Sequence, residues 1–184
     1  PLREFWASFS TNRGALAGLA VFGLVVLAAL LAPWLAPHDP TEQFRDALLS
    51  PPSWNGGDAR FPLGTDDVGR DMLSRLMHGG RLSLLMGVVP VLAAFGIGTA
   101  IGLLAGYVGG RLNMVIMRVL DVFYAFPSVL LAVAISGALG PGMSNSLIAL
   151  TLVFVPQVVR VAESVTTQVR QLVYIEAARM SGAS

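Results

Sequence analysis

The chain alternates between long apolar stretches without a charged residue and shorter segments that collect the charges. The first apolar stretch is Gly14–Pro37, and the second lies between Arg81 and Arg111. Each is long enough to cross the bilayer as a helix, which takes about 20 residues for about 30 Å of hydrocarbon. The first stretch is also too long for the apolar core of a signal peptide. The sequence therefore predicts a membrane-spanning helix in each.

A third uncharged stretch, Val122–Val159, is too long for a single crossing. Its middle, Gly137–Asn145, reads GALGPGMSN, and such a run of turn-forming residues predicts a hairpin. We therefore expect a third span over about residues 114–136 and a fourth over about residues 146–162. The predicted fold class is all-α, a polytopic bundle of transmembrane helices.

Glycines and prolines inside the predicted spans have positional meaning. Gly98, Gly102 and Gly106 recur at every fourth residue, and such a stripe lets two helices pack closely in lipid. The alternative is a chance pattern in a glycine-rich span. Pro127 and Pro156 fall inside the third and fourth spans, where each removes a backbone hydrogen bond and permits a kink.

Residues 38–80 form the only long polar segment, and prolines and glycines argue against regular structure in its first half. Asp67–Met77 is predicted to be helical, because Val68, Met72 and Leu76 share one face. We expect this amphipathic helix to lie at the membrane surface.

Composition narrows the function classes. Charged residues make up 12% of the chain against about 25% in soluble domains, and the mean hydropathy is +0.69. The net charge of +1 makes nucleic acid an unnatural partner. Every basic residue is arginine, so the chain has no lysine for a phosphate-binding loop. The absence of cysteine excludes disulfides and thiol catalysis. If nucleotide drives this protein, another chain must hold the nucleotide.

The arginines also predict an orientation. They flank the first span, fill the connection between the second and third spans, and follow the fourth, so these three sites share one side of the membrane. The acidic 38–80 segment and the uncharged hairpin lie on the other side. The positive-inside rule places the arginine sites, and with them the N-terminus, in the cytoplasm.

The last stretch, Tyr174–Ser184, reads YIEAARMSGAS and follows the fourth span on the predicted cytoplasmic side. Residues 176–180 are good helix formers, and Gly182 stands where a left-handed cap would end a helix. Ala177 and Ala178 keep one face of this helix low, so that a partner can approach closely.

In this segment, which follows the fourth span, the chain resembles the permease subunits of bacterial ABC importers, which carry a cytoplasmic Glu-Ala-Ala loop. It is similar in particular to the peptide-type branch, the dipeptide, oligopeptide and nickel permeases. The matching stretches are FPLGTDDVGRDMLSRLMHGGRLSL at Phe61–Leu84, LLAGYVGGRLNMVIMRVLDVFYAFP at Leu103–Pro127, and LGPGMSN at Leu139–Asn145.

This resemblance implies the type I permease fold of ABC importers with six spans, of which we expect this chain, as a fragment, to hold four. It implies a cytoplasmic tail and first helix over 1–37, an extracytoplasmic segment over 38–80, and an incomplete permease domain over 81–184. The residues that fall on the ATPase-coupling loop are Glu176, Ala177, Ala178, Arg179 and Gly182.

The resemblance further implies a bacterial inner-membrane location and a set of partners. These are a second, related permease, two ATPase subunits that use ATP and Mg²⁺, and an extracytoplasmic solute-binding protein. No cofactor, catalytic residue or metal is expected in this chain, and its substrate-binding residues are unknown. The expected function is ATP-driven import of short peptides or a related small solute by alternating access.

Two other classes of function fit the sequence less well. A secondary transporter or channel driven by an ion gradient would need ionisable groups at the membrane midplane, and the sequence has none there. A passive membrane anchor would not need a loop that contacts an ATPase.

Several polar or aromatic residues allow two interpretations. Asp66, Asp67, Asp71 and His78 could form a cation site, although caps and surface charges explain them more simply. Asp121 could relay protons or could pair structurally with Arg118; alternatively, the Arg118 side chain can extend to the membrane interface. Three aromatic residues could line a path or could face lipid and neighbouring helices; they are Phe123, Tyr124 and Phe126.

Overall fold

The computed structural model describes residues 2–182. It contains eight α-helices: α1 Leu2–Thr11, α2 Arg13–Leu30, α3 Ala32–Leu35, α4 Met72–Val108, α5 Gly110–Tyr124, α6 Ser128–Leu139, α7 Met143–Arg170 and α8 Val173–Met180. Within these residues the only β-type pairing is an isolated bridge between Thr65 and Asp71. The predicted all-α class is confirmed.

Three helices, α2, α4 and α7, are long and apolar enough to cross a membrane. A fourth crossing is added if α5 and α6, which are bent by 91° at their junction, count as one span. Most large apolar side chains of α2 and α4 are exposed, with Leu24 at 69% and Leu92 at 64%. Contiguous apolar surface of this extent is typical of helices surrounded by lipid or by other membrane subunits. The predicted polytopic bundle is therefore confirmed.

The third predicted span is not one continuous helix. The α5 helix ends at Tyr124, and α6 begins at Ser128 after Pro127, whose φ of −56° and ψ of 127° are not helical. Proline cannot donate to the preceding turn, and it disfavours helical geometry at the residue before it. The kink predicted at Pro127 is therefore a break. In contrast, α7 continues through Pro156, and α4 continues through Pro90.

The helix predicted over Asp67–Met77 does not begin there and is not separate from the second span. The α4 helix starts at Met72 and runs for 37 residues, which corresponds to about 55 Å at 1.5 Å per residue. Asp71 caps its start, because its carboxylate accepts the N–H of Leu73 at 3.3 Å and of Ser74 at 3.2 Å. Residues before Asp71 form turns instead.

The chain divides into two compact units, and the division falls inside α4 between Leu85 and Met86. In the first unit, the α3–α4 segment (residues 36–71) folds around Phe61, which is fully buried. The His38 ring lies 4.9 Å from the Phe44 ring and 5.1 Å from the Phe61 ring. The backbone N–H of His38 donates to the buried Ser74 hydroxyl at 3.1 Å, so both ends of the segment are fastened together.

A charged network in the same segment is centred on Asp66. Its carboxylate accepts the backbone N–H groups of Val68 at 3.0 Å and Arg70 at 2.9 Å, and it pairs with the side chains of Arg70 and Arg75. Burial alone would raise the pKa of Asp66, but the hydrogen bonds from Arg70 and Val68 outweigh it and lower the pKa to about 2. The charged carboxylate therefore stabilises the turn that precedes α4.

The lowered pKa predicts acid sensitivity of this segment. The Asp66 contribution is fully present above the ordinary pKa of 3.8 and is lost as the pH falls through about 2. We expect Asp66→Asn to remove about 2 kcal/mol of local stability at neutral pH, because one pKa unit corresponds to about 1.4 kcal/mol. Hydrogen exchange of residues 44–71 should accelerate in this variant. Asp46→Asn is the control, since Asp46 is 63% exposed, and equal acceleration in both variants would contradict the assignment.

In the second unit, α7 packs against both α5 and α6. Its buried residues are Ala149, Val153, Pro156 and Val159. The fully buried Ala105 of α4 belongs to the same unit. The core of this unit therefore lies along one face of α7, the helix that leads into α8.

Candidate functional site

The terminal helix α8 is joined to α7 by a very short break. Only Gln171 and Leu172 separate the two helices. Their N–H groups donate back to the carbonyls of Gln168 at 3.2 Å and Val169 at 3.1 Å, and the N–H of Ile175 donates to Leu172 at 2.9 Å. Backbone hydrogen bonds therefore join the break to the last turn of α7 on one side and to the first turn of α8 on the other.

The α8 helix presents an exposed face with large apolar side chains. Val173 is 80% exposed and Met180 is 92% exposed, and the exposed Ala177 lies between them at i+4. This spacing places the three residues on one side of the helix. Tyr174, at 64%, extends the surface. Ala177, one of the two alanines of the predicted low face, is thus flanked by larger apolar residues, a composition typical of an interaction surface.

The opposite side of α8 is anchored by Ile175, which is half-buried. Ile175 borders a groove of about 230 Å³ whose walls come from α4 and α7. The residues that line the groove with it are Leu103, Tyr107, Val165, Thr166, Val169 and Arg170. Side chains of three predicted coupling residues, Glu176, Ala178 and Arg179, lie outside the described part of the chain, as do Ala183 and Ser184.

The end of α8 has the geometry expected at Gly182. The N–H of Ser181 donates to the carbonyl of Ala177 at 3.1 Å, and Gly182 follows with a φ of +88°. This left-handed conformation is accessible to glycine without a steric penalty. The helix therefore ends at Met180, two residues before the glycine at which the sequence predicts a left-handed cap.

The glycine stripe of α4 lies against α7. A Cβ placed on Gly102 would be 2.6 Å from both the Ala162 Cβ and the Val159 carbonyl oxygen. Equivalent atoms on Gly98 and Gly106 would meet α7 at 2.7 Å. The absence of side chains at these three positions lets the two backbones approach, so α4 is packed closely along the helix that carries α8.

Polar contacts between α5 and α7 form a feature that the sequence analysis missed. The Arg160 guanidinium donates to the Asp121 carboxylate at 3.0 Å and lies 4.3 Å from the centre of the Tyr124 ring. Arg118, the partner predicted for Asp121, is 4.0 Å away and 82% exposed. In the sequence, Asp121 and Arg160 are charges at the two ends of an apolar run. Because 39 residues separate them, no local pattern predicts that they pair.

A second polar contact joins α5 to α7 near the start of α5. The side-chain amide of Asn113 donates to the Glu163 carboxylate and also to the Ala105 carbonyl of α4, the latter at 3.3 Å. The Thr167 hydroxyl donates to the same Glu163 oxygen at 3.2 Å. Three helices of the second unit therefore meet at Glu163.

The aromatic residues near the break do not act as one group. Phe123 lines an apolar groove of about 270 Å³ together with residues of α4 and α7. Tyr124 stacks on Arg160, and Phe126 is 56% exposed. Phe123 and Tyr124 therefore contact residues of neighbouring helices, whereas Phe126 is exposed.

The acidic residues before α4 serve as caps and ion pairs. Asp71 accepts from Leu73, Ser74 and the Ser74 hydroxyl, and the His78 ring contacts the Ser74 carbonyl at 2.9 Å. Asp66 pairs with arginines. Among the histidine and acidic side chains that the structure describes, no group of three or more is placed to hold a metal ion.

The fold is that of a polytopic helical membrane subunit, and two family models add the class of membrane transport components. Residues 1–52 match the N-terminal TM domain of oligopeptide transport permease C. Residues 98–184 match the binding-protein-dependent transport system inner membrane component.

Three relatives are more specific, since all are permeases of peptide or glutathione transport systems. The chain is 52% identical to the di/tripeptide transport system permease of Pseudomonas aeruginosa, 47% to the dipeptide permease of Escherichia coli, and 40% to the glutathione permease of Pectobacterium atrosepticum. Each match covers 100% of the chain and 60–61% of the relative, so the chain spans about three fifths of their length. The chain belongs to the family of peptide-type permease subunits of bacterial ABC importers, as its motifs predict.

Proposed function

We propose that the chain is part of a permease subunit through which an ATP-driven importer moves short peptides or a related small solute across the inner membrane. The observation that carries the proposal is the exposed apolar face of α8. Only Gln171 and Leu172 separate this helix from α7, and their N–H groups donate to the last turn of α7. Exposed apolar faces mark sites of interaction with a protein or a membrane, and α8 carries the segment that resembles the ATPase-coupling loop of ABC permeases. The names of the relatives, which include dipeptide and glutathione permeases, support a small peptide-like solute.

In this proposal the partner that covers α8 is an ATPase subunit. Two ATPase subunits would bind ATP and Mg²⁺, which this chain has no lysine-containing loop to hold. A second, related permease would complete the path, and an extracytoplasmic binding protein would deliver the solute. Closure of the ATPases on ATP would displace α8, and the short break would pass the displacement to α7. Alternating access then follows from rearrangement of the spans around the solute.

The test is solute uptake by proteoliposomes that contain complete permease subunits, both ATPases and the binding protein. We expect the vesicles to take up a dipeptide only when ATP and the ATPase subunits are both on the inside of the vesicle. Collapse of ion gradients should not change this uptake. Uptake that persists without ATP, or that stops when a proton or sodium gradient is dissipated, would contradict the proposal. The purified permease alone should show no saturable ATP binding by calorimetry.

The proposed orientation, with the N-terminus in the cytoplasm, makes a separate prediction. Because the chain has no cysteine, single introduced cysteines give a clean signal. Ser53→Cys, in the exposed part of the α3–α4 segment, should react with an impermeant maleimide added outside spheroplasts. Ser181→Cys should react only after the membrane is permeabilised. The reverse pattern would contradict the orientation and the docking of α8 on a cytoplasmic ATPase.

A further inference from the structure

Two polar contacts hold α5 along α7, and they differ in character. The Asn113–Glu163 contact also includes α4 and Thr167, and both of its principal side chains are half-buried. The Asp121–Arg160 contact joins α5 and α7 alone, and its two side chains are 52% and 50% exposed. The first contact is therefore part of the packed core of the unit, whereas the second can open without disturbing buried groups.

The second contact lies next to the break between α5 and α6. Asp121 and Tyr124 are in the last turn of α5, immediately before the 91° bend. Arg160 is on α7, the helix that continues through Arg170 into the short break before α8. One guanidinium therefore connects the helix that carries α8 to the turn at which the preceding helix pair changes direction.

The chemistry of this contact is more specific than a single surface ion pair. The Arg160 guanidinium donates to the carboxylate of Asp121 at 3.0 Å while its carbon lies 4.3 Å from the Tyr124 ring centre. A planar guanidinium can do both at once, which an ammonium group cannot do as well. Arg160 directly follows the uncharged stretch that ends at Val159, so the contact lies where the apolar part of α7 ends.

We propose that Asp121, Tyr124 and Arg160 form a clasp that transmits movement of α7 to the bend between α5 and α6. This role rests on the proposed function, since it assigns positioning residues to ATP-driven transport. When α8 and α7 are displaced, the clasp makes the end of α5 follow, and the angle to α6 changes. Without the clasp the end of α5 follows α7 less closely, so ATP hydrolysis continues with less solute moved.

The experiment compares uptake with ATP hydrolysis in the complete reconstituted transporter. Arg160→Gln and Asp121→Asn each remove one charge and keep much of the side-chain shape. We expect the amount of solute moved per ATP hydrolysed to fall about fivefold in each, a coupling loss at the low end of the range for linked sites. The double variant should be no worse than either single variant, because both remove the same interaction.

Arg118→Gln is the matched control, since Arg118 lies on the same helix 4.0 Å from Asp121 and is 82% exposed. It should keep the wild-type ratio of transport to hydrolysis. Should Arg160→Gln not accumulate in the membrane, Asp121→Asn and Tyr124→Leu decide the question, and both must lower the ratio. The clasp would be wrong if its variants kept the wild-type ratio of transport to hydrolysis. It would also be wrong if the losses in the two single variants multiplied in the double variant.

The same measurement separates this inference from the proposed function. If the wild-type complex shows no ATP-dependent uptake, the proposed function fails. If the wild type transports solute and the clasp variants transport it equally well per ATP, the proposed function stands and the clasp is wrong.

Discussion

Solute uptake by the complete transporter is expected to fall at least about tenfold when Ala177 is replaced by glutamate. Ala177 lies on the exposed face of α8 between Val173 and Met180, where a partner surface would remove it from water. Glutamate is a good helix former, so α8 should persist. The new carboxylate would be buried at the contact without a partner, which is costly. Solute-stimulated ATP hydrolysis should fall together with uptake.

The matched control for this change is Gln168→Glu. Gln168 is exposed near the end of α7, and the substitution adds the same charge outside the α8 face. It should leave uptake and hydrolysis near the wild-type values, and both variants should be present in the membrane at equal amounts by immunoblot. Full activity of Ala177→Glu would show that this face of α8 does not contact the ATPase.

Replacement of Gly102 by leucine is expected to have the largest effect on stability. The first added carbon alone would lie 2.6 Å from the Ala162 Cβ and from a backbone carbonyl of α7, and neither can move without separating the helices. Overpacking of this kind costs about 1–3 kcal/mol, and here we expect the upper end. The thermal midpoint of the purified complex should fall, and co-purification of the partner permease should weaken.

Gly96→Leu provides the control for Gly102→Leu. Gly96 is on the same helix, α4, but a Cβ placed there has nothing within 4 Å. The two variants therefore share the same change in side chain and in helix propensity, and they differ only in what the side chain meets. Equal thermal midpoints for both would mean that close packing of α4 on α7 does not stabilise the subunit.

Features that depend on local sequence were predictable. The positions of α2, α4 and α7 follow from the lengths of the uncharged apolar stretches, because a bilayer of fixed thickness demands a fixed number of apolar residues. The positive φ of Gly182 follows from the tendency of helices to end at glycine in a left-handed conformation. The family itself could be identified because ordered motifs extend over most of the chain.

The behaviour of the prolines could not be predicted from local sequence. Pro90, Pro127 and Pro156 all fall within long apolar stretches, and each lacks the same N–H group. Pro90 and Pro156 are buried and remain inside continuous helices, whereas Pro127 is exposed and marks the break. Whether neighbouring side chains hold a proline in line depends on packing. The sequence therefore indicated a weak point at Pro127 but not a bend of 91°.

The start of α4 was misplaced for a related reason. The apolar positions after Asp67 fit a helical period, so the sequence predicted that a helix begins there. Asp66 instead binds the backbone N–H groups of Val68 and Arg70, and these hydrogen bonds hold a turn that competes with the helix. Asp71 then takes the capping role. Which of several nearby aspartates becomes the cap is decided by the partners available in the folded segment.

By itself, the sequence determined that this is an all-helical membrane subunit, where its main spans lie, and where its terminal helix ends, because each of these depends on residues close together in the chain. Only the tertiary structure decided that Arg160 binds Asp121 across 39 residues, and that the glycines of α4 face α7. It also decided which face of α8 stays exposed. Contacts between distant residues depend on how helices cross, and helix crossing is set by side-chain packing between helices, which hydrophobic pattern alone does not specify.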